Sequence, residues 1–325
     1  MRRRKRYRLR RLLPLGVLVL AALVAGAWAG ARKPSTTVSA AAAGPIVVDA
    51  PAVVHHTQRS VPMAPEHLLS ATDTVRHAFT PQLSAAAAIV VDAGTGRVVW
   101  GTNEHARLKV ASLTKIMTAL LALKKLAPHD VVTVAKSVPR VPLVREGLRA
   151  GEKVQAWKLF YSMLLYSGND DALALAIAAG GDKWTFVREM NDEAHTLGLH
   201  DTHFISPSGV VDVDNYSSAW DIAALSRVAM RNERFRQIVR TKIIHVAWSA
   251  PTYSKIYVNN NLMLREYPGA DGIKTGYTHK AGDCLAVSAT RHGTTLIAVL
   301  LNDPNMYVDA TRLLNFGFSP AAASS

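Results

Sequence analysis

Cysteine is nearly missing from this chain: Cys284 stands alone among 325 residues, so no intrachain disulfide can form and stability must come from a packed core. Aromatic residues are sparse at 7%, and no run of cysteines and histidines has zinc-ligand spacing. His195, His200 and His203 are close in sequence, but their spacings do not put them on one helical face, so no metal and no cofactor are expected. Acidic residues are outnumbered, 24 against 38 basic, for a formal charge of +14. Much of that excess is local, because eight Arg and Lys side chains crowd the first eleven positions. The body lacks zinc-finger spacing, an aromatic RNA-binding signature and a long basic helix, so nucleic acid is not an expected partner. With 49% hydrophobic residues, the chain is long enough for one large domain or two small ones with a real core.

Behind the basic start, Leu12 to Ala31 is almost wholly apolar, interrupted only by Pro14 and three glycines. A basic flank and an apolar run of this length form a membrane-targeting segment, so residues 1–33 read as a signal peptide or membrane anchor. Ala27-Trp28-Ala29 suits cleavage, whereas Arg32 and Lys33 suit a retained anchor. Either way the bulk of the chain is exported across the cytoplasmic membrane, to be secreted or held on its outer face. Residues 34–83, rich in Ala, Pro, Ser and Thr, read as a linker in which Pro65 to Phe79 is a short helix. An organised domain spans 84–318, with 319–325 as a tail. Within it, a strand hairpin at 87–100 precedes a helix to about 126, and short β-prone pieces follow between 131 and 155. Helices are expected at 154–166, 170–179, 184–197, 219–230 and 232–239. Strands return at 241–247, 272–275, 283–290 and 294–301, and a last helix lies at 307–316. This order suits an antiparallel sheet flanked by the first and last helices, an α/β (α+β) class.

One short stretch organises the chemistry. Ser112 stands three residues before Lys115, where an apolar helical run begins, so hydroxyl and amine share a helix face. Alone, such a pair is common, and Ser112 has an equally good reading as a helix cap. Two further stretches change the weighing: Ser167-Gly168-Asn169 between helical segments, and Lys274-Thr275-Gly276 entering a late strand. Ser-x-x-Lys, Ser-x-Asn and Lys-Thr-Gly in this order are the elements of penicillin-interacting serine enzymes.

Together with Leu165 to Asp170, Phe186 to Asn191, Pro207-Ser208-Gly209 and Asp271 to Thr278, these motifs resemble the serine-type D-alanyl-D-alanine carboxypeptidases, the low-molecular-weight penicillin-binding proteins, over roughly residues 84 to 318. The resemblance implies a five-stranded antiparallel sheet packed on a mainly helical subdomain, with the active site between them. It implies removal of the terminal D-alanine from peptidoglycan stem pentapeptides, and β-lactam antibiotics as covalent inhibitors. Ser112 is the expected nucleophile and Lys115 its general base, with Lys274 lowering the Lys115 pKa by like charge. Ser167 is expected to relay a proton and Asn169 to position Lys115. The resemblance implies an oxyanion hole from the backbone N–H groups of Ser112 and Tyr277, and substrate binding by Lys274, Thr275, Gly276 and Thr278. Ser208 and Gly209 read as loop structure, Cys284 as inert core, and Asp221 as a helix cap. Four positions depart from the family pattern: Val110 for proline, Ser206 for asparagine, Asp171 for alanine and Met306 for a frequent arginine. The last keeps a D,D-endopeptidase or weak β-lactamase open beside the carboxypeptidase, and a muropeptide-binding protein without turnover remains a third reading.

Overall fold

The computed structural model describes residues 68–70, 81–210, 214–250 and 253–319. The expected leader and most of the expected linker lie outside the described residues. Within that linker, Leu68–Ser70 is not helical: Ser70 pairs with Arg97 in an isolated bridge, and Arg227 donates to the Leu68 carbonyl at 2.7 Å.

The chain opens with a hairpin of β1 (Ala87–Asp92) and β2 (Val98–Thr102), turned where Asp92 Oδ1 accepts the Thr95 N–H. A tight turn at Ala111–Thr114 leads into α1 (Lys115–Lys125). Two short strands, β3 (Val131–Thr133) and β4 (Lys153–Gln155), pair with each other. The helical middle follows: α2 (Ala156–Tyr161), α3 (Asn169–Gly180), α4 (Lys183–Thr196), α5 (Ala219–Ala229) and α6 (Glu233–Val239). A ribbon of β5 (Ile243–Val246) and β6 (Lys255–Val258) and the single turn α7 (Met263–Glu266) then lead back to the sheet. The chain completes it with β7 (Ala270–Thr278), β8 (Gly282–Arg291) and β9 (Thr294–Leu301), and ends in α8 (Met306–Gly317). The strand order is β2-β1-β9-β8-β7, antiparallel throughout, so the expected fold class is the observed one.

Helices cover both faces of the sheet, and the residues of β9 show why its apolar run is unbroken. Ile297, Val299 and Leu301 point into the core shared with α1 and α5. Leu296, Ala298 and Leu300 point the other way, against Ala310, Leu313 and Leu314 of α8. A strand buried on both sides loses the polar alternation of a half-exposed one. Truncating a fully buried side chain such as Leu313 costs about 2–5 kcal/mol. At one end of the sheet, β7 has a strand neighbour on one edge only.

Two local readings needed correction. The helix expected over 154–166 starts at Ala156 and changes pitch at Ser162–Tyr166, where the Ser167 N–H reaches back five residues to the Ser162 carbonyl at 3.0 Å. Asp221 does not cap α5. Ser218 Oγ accepts the Asp221 N–H at 3.1 Å, and the Asp221 carboxylate instead takes Asp201 N–H and Thr202 Oγ1.

Candidate active site

Ala111 has φ +46°, a left-handed conformation that non-glycine residues rarely adopt. It turns the chain sharply, so that Ser112 and Lys115 fall on consecutive corners of the tight turn and the start of α1. From Lys115 to Leu123 this helix is buried on every side, which is why its sequence shows no polar face. Ser112 caps nothing, since no side chain caps α1 and its N-cap residue is Thr114. Its Oγ lies instead 2.8 Å from Lys115 Nζ, the pairing the spacing predicts.

Among the described residues Lys115 Nζ has two other hydrogen-bond partners: Asn169 Oδ1 at 2.8 Å and the Ser208 carbonyl at 3.0 Å. Both are oxygens that only accept. A neutral amine gives each of them one N–H and keeps its lone pair for the Ser112 hydroxyl, so all three contacts are satisfied with the amine uncharged. Burial pushes the Lys115 pKa well below that of a free lysine, and the like charge of Lys274 pushes it further; Asp171 and Asp170 act in the opposite sense. Lys274 is itself buried, and that burial lowers it to about 7.

Lys274 Nζ donates to the Thr275 carbonyl at 3.0 Å, and Thr278 Oγ1 accepts the Ala281 N–H at 3.1 Å, so both motif ends are anchored. Between them Gly276 lets β7 press on the turn that carries Ser112. A Cβ there would stand 3.0 Å from both the Ser112 nitrogen and the Val110 carbonyl oxygen. The Tyr277 backbone follows directly, while its ring is exposed and its hydroxyl lies 3.3 Å from His279 Nδ1.

The second motif arrives from the changed helix pitch. Ser167 takes a left-handed φ of +76° at the end of that turn, and Gly168 opens α3. A Cβ at 168 would stand 1.9 Å from Asp171 Oδ2, so any larger residue there would have to displace the buried Asp171 carboxyl. Asn169 then spans the site, its Nδ2 donating to the Pro142 carbonyl at 2.9 Å and its Oδ1 facing Lys115. Ser167 is not among the hydrogen-bond partners of Lys115 Nζ; from this turn it is Asn169, two residues on, that bonds the amine.

The Pro207-Ser208-Gly209 loop is part of the site, beyond its reading as plain loop structure. Besides the Ser208 carbonyl on Lys115, the Pro207 carbonyl accepts Thr118 Oγ1 at 2.7 Å, and Ser206 Oγ accepts the Gly209 N–H at 2.9 Å. Asn215 Nδ2 adds a bond to Thr114 Oγ1 at 3.0 Å. The available signal was a Pro-Ser-Gly turn, with Gly209 at φ +75°. Cys284 is buried as expected, its thiol pushed up to about 12 by burial.

A family profile described as D-alanyl-D-alanine carboxypeptidase matches residues 74–305. The chain is 32% identical over 244 residues to a D-alanyl-D-alanine carboxypeptidase of Bacillus subtilis, covering 72% of this chain and 62% of that relative's length. It is 34% identical over 262 residues to a D-alanyl-D-alanine carboxypeptidase of Streptomyces K15, covering 74% of this chain and 89% of the relative. The crystal structure of the Streptomyces K15 DD-transpeptidase superposes with a TM-score of 0.70 at 32% identity, over 74% of this chain and 99% of that one.

Proposed function

The chain belongs to the D-alanyl-D-alanine carboxypeptidase family, and on that premise we propose that it removes the terminal D-alanine of peptidoglycan stem pentapeptides through an acyl-enzyme on Ser112. The observation that carries this reading is the Lys115 amine, 2.8 Å from Ser112 Oγ with its other two contacts both acceptors.

Ser112 Oγ attacks the carbonyl carbon of the penultimate D-alanine as its proton passes to Lys115 Nζ, which makes a weak nucleophile reactive. The backbone N–H groups of Ser112 and Tyr277 hold the oxyanion, a contribution of about 3 kcal/mol for a preorganised donor. The intermediate then expels the amine of the last D-alanine. Lys115 returns the proton to that nitrogen through Ser167, and free D-alanine leaves. Water, deprotonated along the same route, cleaves the ester and restores Ser112. Lys274, Thr275 and Thr278 take the substrate carboxylate. Gly276 lets the substrate backbone lie along the free edge of β7 in strand-like pairing. A β-lactam enters the same first step and stays on Ser112.

Family membership makes this an extracytoplasmic protein of the cell envelope. Among the described residues no helix is long and apolar enough to cross a membrane. The leader outside them either holds the domain on the outer face of the cytoplasmic membrane or is cleaved to release it. The test is incubation of the full-length chain with a synthetic stem pentapeptide and, separately, with benzylpenicillin. D-alanine release and a covalent penicillin adduct are expected, and Ser112→Ala loses both. Either reaction surviving in Ser112→Ala removes Ser112 as nucleophile. A second reading follows from Met306, which opens α8 with a side chain unable to pair a carboxylate. Faster cleavage of a cross-linked dimer than of the pentapeptide would make the enzyme an endopeptidase.

A further inference from the structure

Behind the Ser167-Gly168-Asn169 turn lies a row of acidic side chains that the reaction above does not use. Glu146 and Asp171 are both buried, and one hydroxyl stands between them: Ser162 Oγ is 2.5 Å from Asp171 Oδ2 and 3.0 Å from Glu146 Oε2. A serine hydroxyl has a single proton to donate. Were both carboxyls ionised, one of these contacts would set an oxygen lone pair against an anion in a dry interior. One carboxyl must therefore bring its own proton.

The surroundings decide which. Glu146 is paired with a cation, as Lys255 Nζ lies 2.8 Å from its Oε1 and 2.6 Å from its backbone carbonyl. Asp171 has no paired cation among the described residues; its buried Oδ1 has no hydrogen-bond partner there, and Glu146 Oε1, which likewise accepts no hydrogen bond, differs in facing the Lys255 ammonium. Next to it on α3, Asp170 is a second carboxyl, accepting the backbone N–H groups of Glu146, Gly147 and Leu148. Burial, Asp170 and Glu146 all push Asp171 well up, against opposition only from the Ser162 bond and Lys255. The remaining group facing this row is the Tyr257 hydroxyl of β6, kept un-ionised by burial and by Glu146.

We propose that Asp171 is held as a neutral carboxylic acid that donates to Ser162 Oγ, which donates onward to Glu146, and that this row positions the Lys115 base without charging it. The inference rests on Lys115 being the base, as read above. Asp171 Oδ2 fills the space where a Cβ at Gly168 would stand, and so props the turn that delivers Asn169 to Lys115. A charge on Asp171 would favour the ammonium form of Lys115 and work against the burial and the Lys274 charge that keep it neutral. A neutral acid gives the prop without the field.

The test is the pH dependence of benzylpenicillin acylation by the full-length chain, for wild type, Asp171→Asn and Asp171→Ala. Both variants are uncharged at 171, so the acid limb, which follows Lys115, keeps its position: each variant's rate, taken relative to its own plateau, stays within about threefold of wild type at each pH. The plateaus separate them. Asparagine still donates to Ser162 and keeps the wild-type plateau, whereas alanine loses the prop and falls about tenfold. An infrared difference spectrum, wild type minus Asp171→Asn at neutral pH, shows a protonated carboxyl stretch that shifts in deuterium oxide. Were Asp171 charged, both variants would move the acid limb to lower pH by about one unit, or about tenfold in rate on that limb, and the acid band would be missing. That result overturns the inference, and a wild-type plateau in Asp171→Ala removes the positioning role. Ser112→Ala run in parallel keeps the two failures distinct. A penicillin adduct persisting there sinks the functional reading, whatever position 171 does.

Discussion

Replacing Gly209 by alanine would drive a methyl group to 1.9 Å from the Ala111 carbonyl oxygen and 2.5 Å from Thr114 Oγ1. No real Cβ sits that close, so one backbone must retreat by about 1 Å, a misplacement that costs on the order of 100-fold in rate. Both candidates for the retreat adjoin the proposed machinery, since Ala111 precedes Ser112, the proposed nucleophile, and the Ser208 carbonyl, directly before Gly209, touches Lys115. Two terms set the stability cost: about 1–2 kcal/mol for a left-handed alanine and about 1–3 kcal/mol for overpacking, together about 2–5 kcal/mol. Gly151→Ala is the matched control, with φ +82° and nothing within 4 Å of the added carbon. It incurs the conformational cost alone, about 1–2 kcal/mol, and leaves acylation within about twofold. Urea unfolding and the rate of penicillin adduct formation, measured on both variants, separate clash from strain. Equal acylation by the two would show that the 206–209 loop does not hold the nucleophile, and the geometry argued here would be wrong.

Asn169→Asp puts a carboxylate where Asn169 Oδ1 meets Lys115 at 2.8 Å, which favours the ammonium form. The acid limb of acylation should therefore move to higher pH by about one unit or more, read from a pH–rate profile. Lys274 ionises near 7 in the folded chain against 10.5 ordinarily, so between those values the unfolded state holds a proton that the folded state has shed. Stability from this group thus rises with pH across that window. Lys274→Met should flatten the rise and be more stable than wild type below pH 7 in urea unfolding, while losing acylation. Cys284, buried with its thiol near 12, should resist alkylation in the native protein and react only after denaturation, as mass spectrometry would show.

Much of the site was legible because its chemistry sits in three local patterns, each placed by a regular element. Ser112 and Lys115 meet because three residues apart on a helical turn means one face. The sheet was legible from the apolar strands late in the chain, although β6 and α7 were too short to stand out. What stayed hidden was tertiary. Nothing local says that the Ser208 carbonyl reaches Lys115 from 93 residues away, or that a change of helix pitch at Ser162 throws Ser167 into a left-handed corner. Asp170 and Asp171 look alike in sequence, at the start of one helix. One accepts backbone N–H groups from the 146–148 loop, and the other meets a serine and a glutamate in the interior. That difference comes entirely from what the rest of the chain brings to them.

The proposed chemistry requires the Lys115 amine to be uncharged near neutral pH, with its lone pair toward Ser112. Nitrogen-15 NMR of the lysine side chains, with Lys115 assigned by the signal lost in Lys115→Met, measures this directly. Lys115 should show a neutral-amine shift at pH 7, turning to the ammonium value only on acidification. An ammonium signal that persists up to the ordinary lysine value of 10.5 would contradict it.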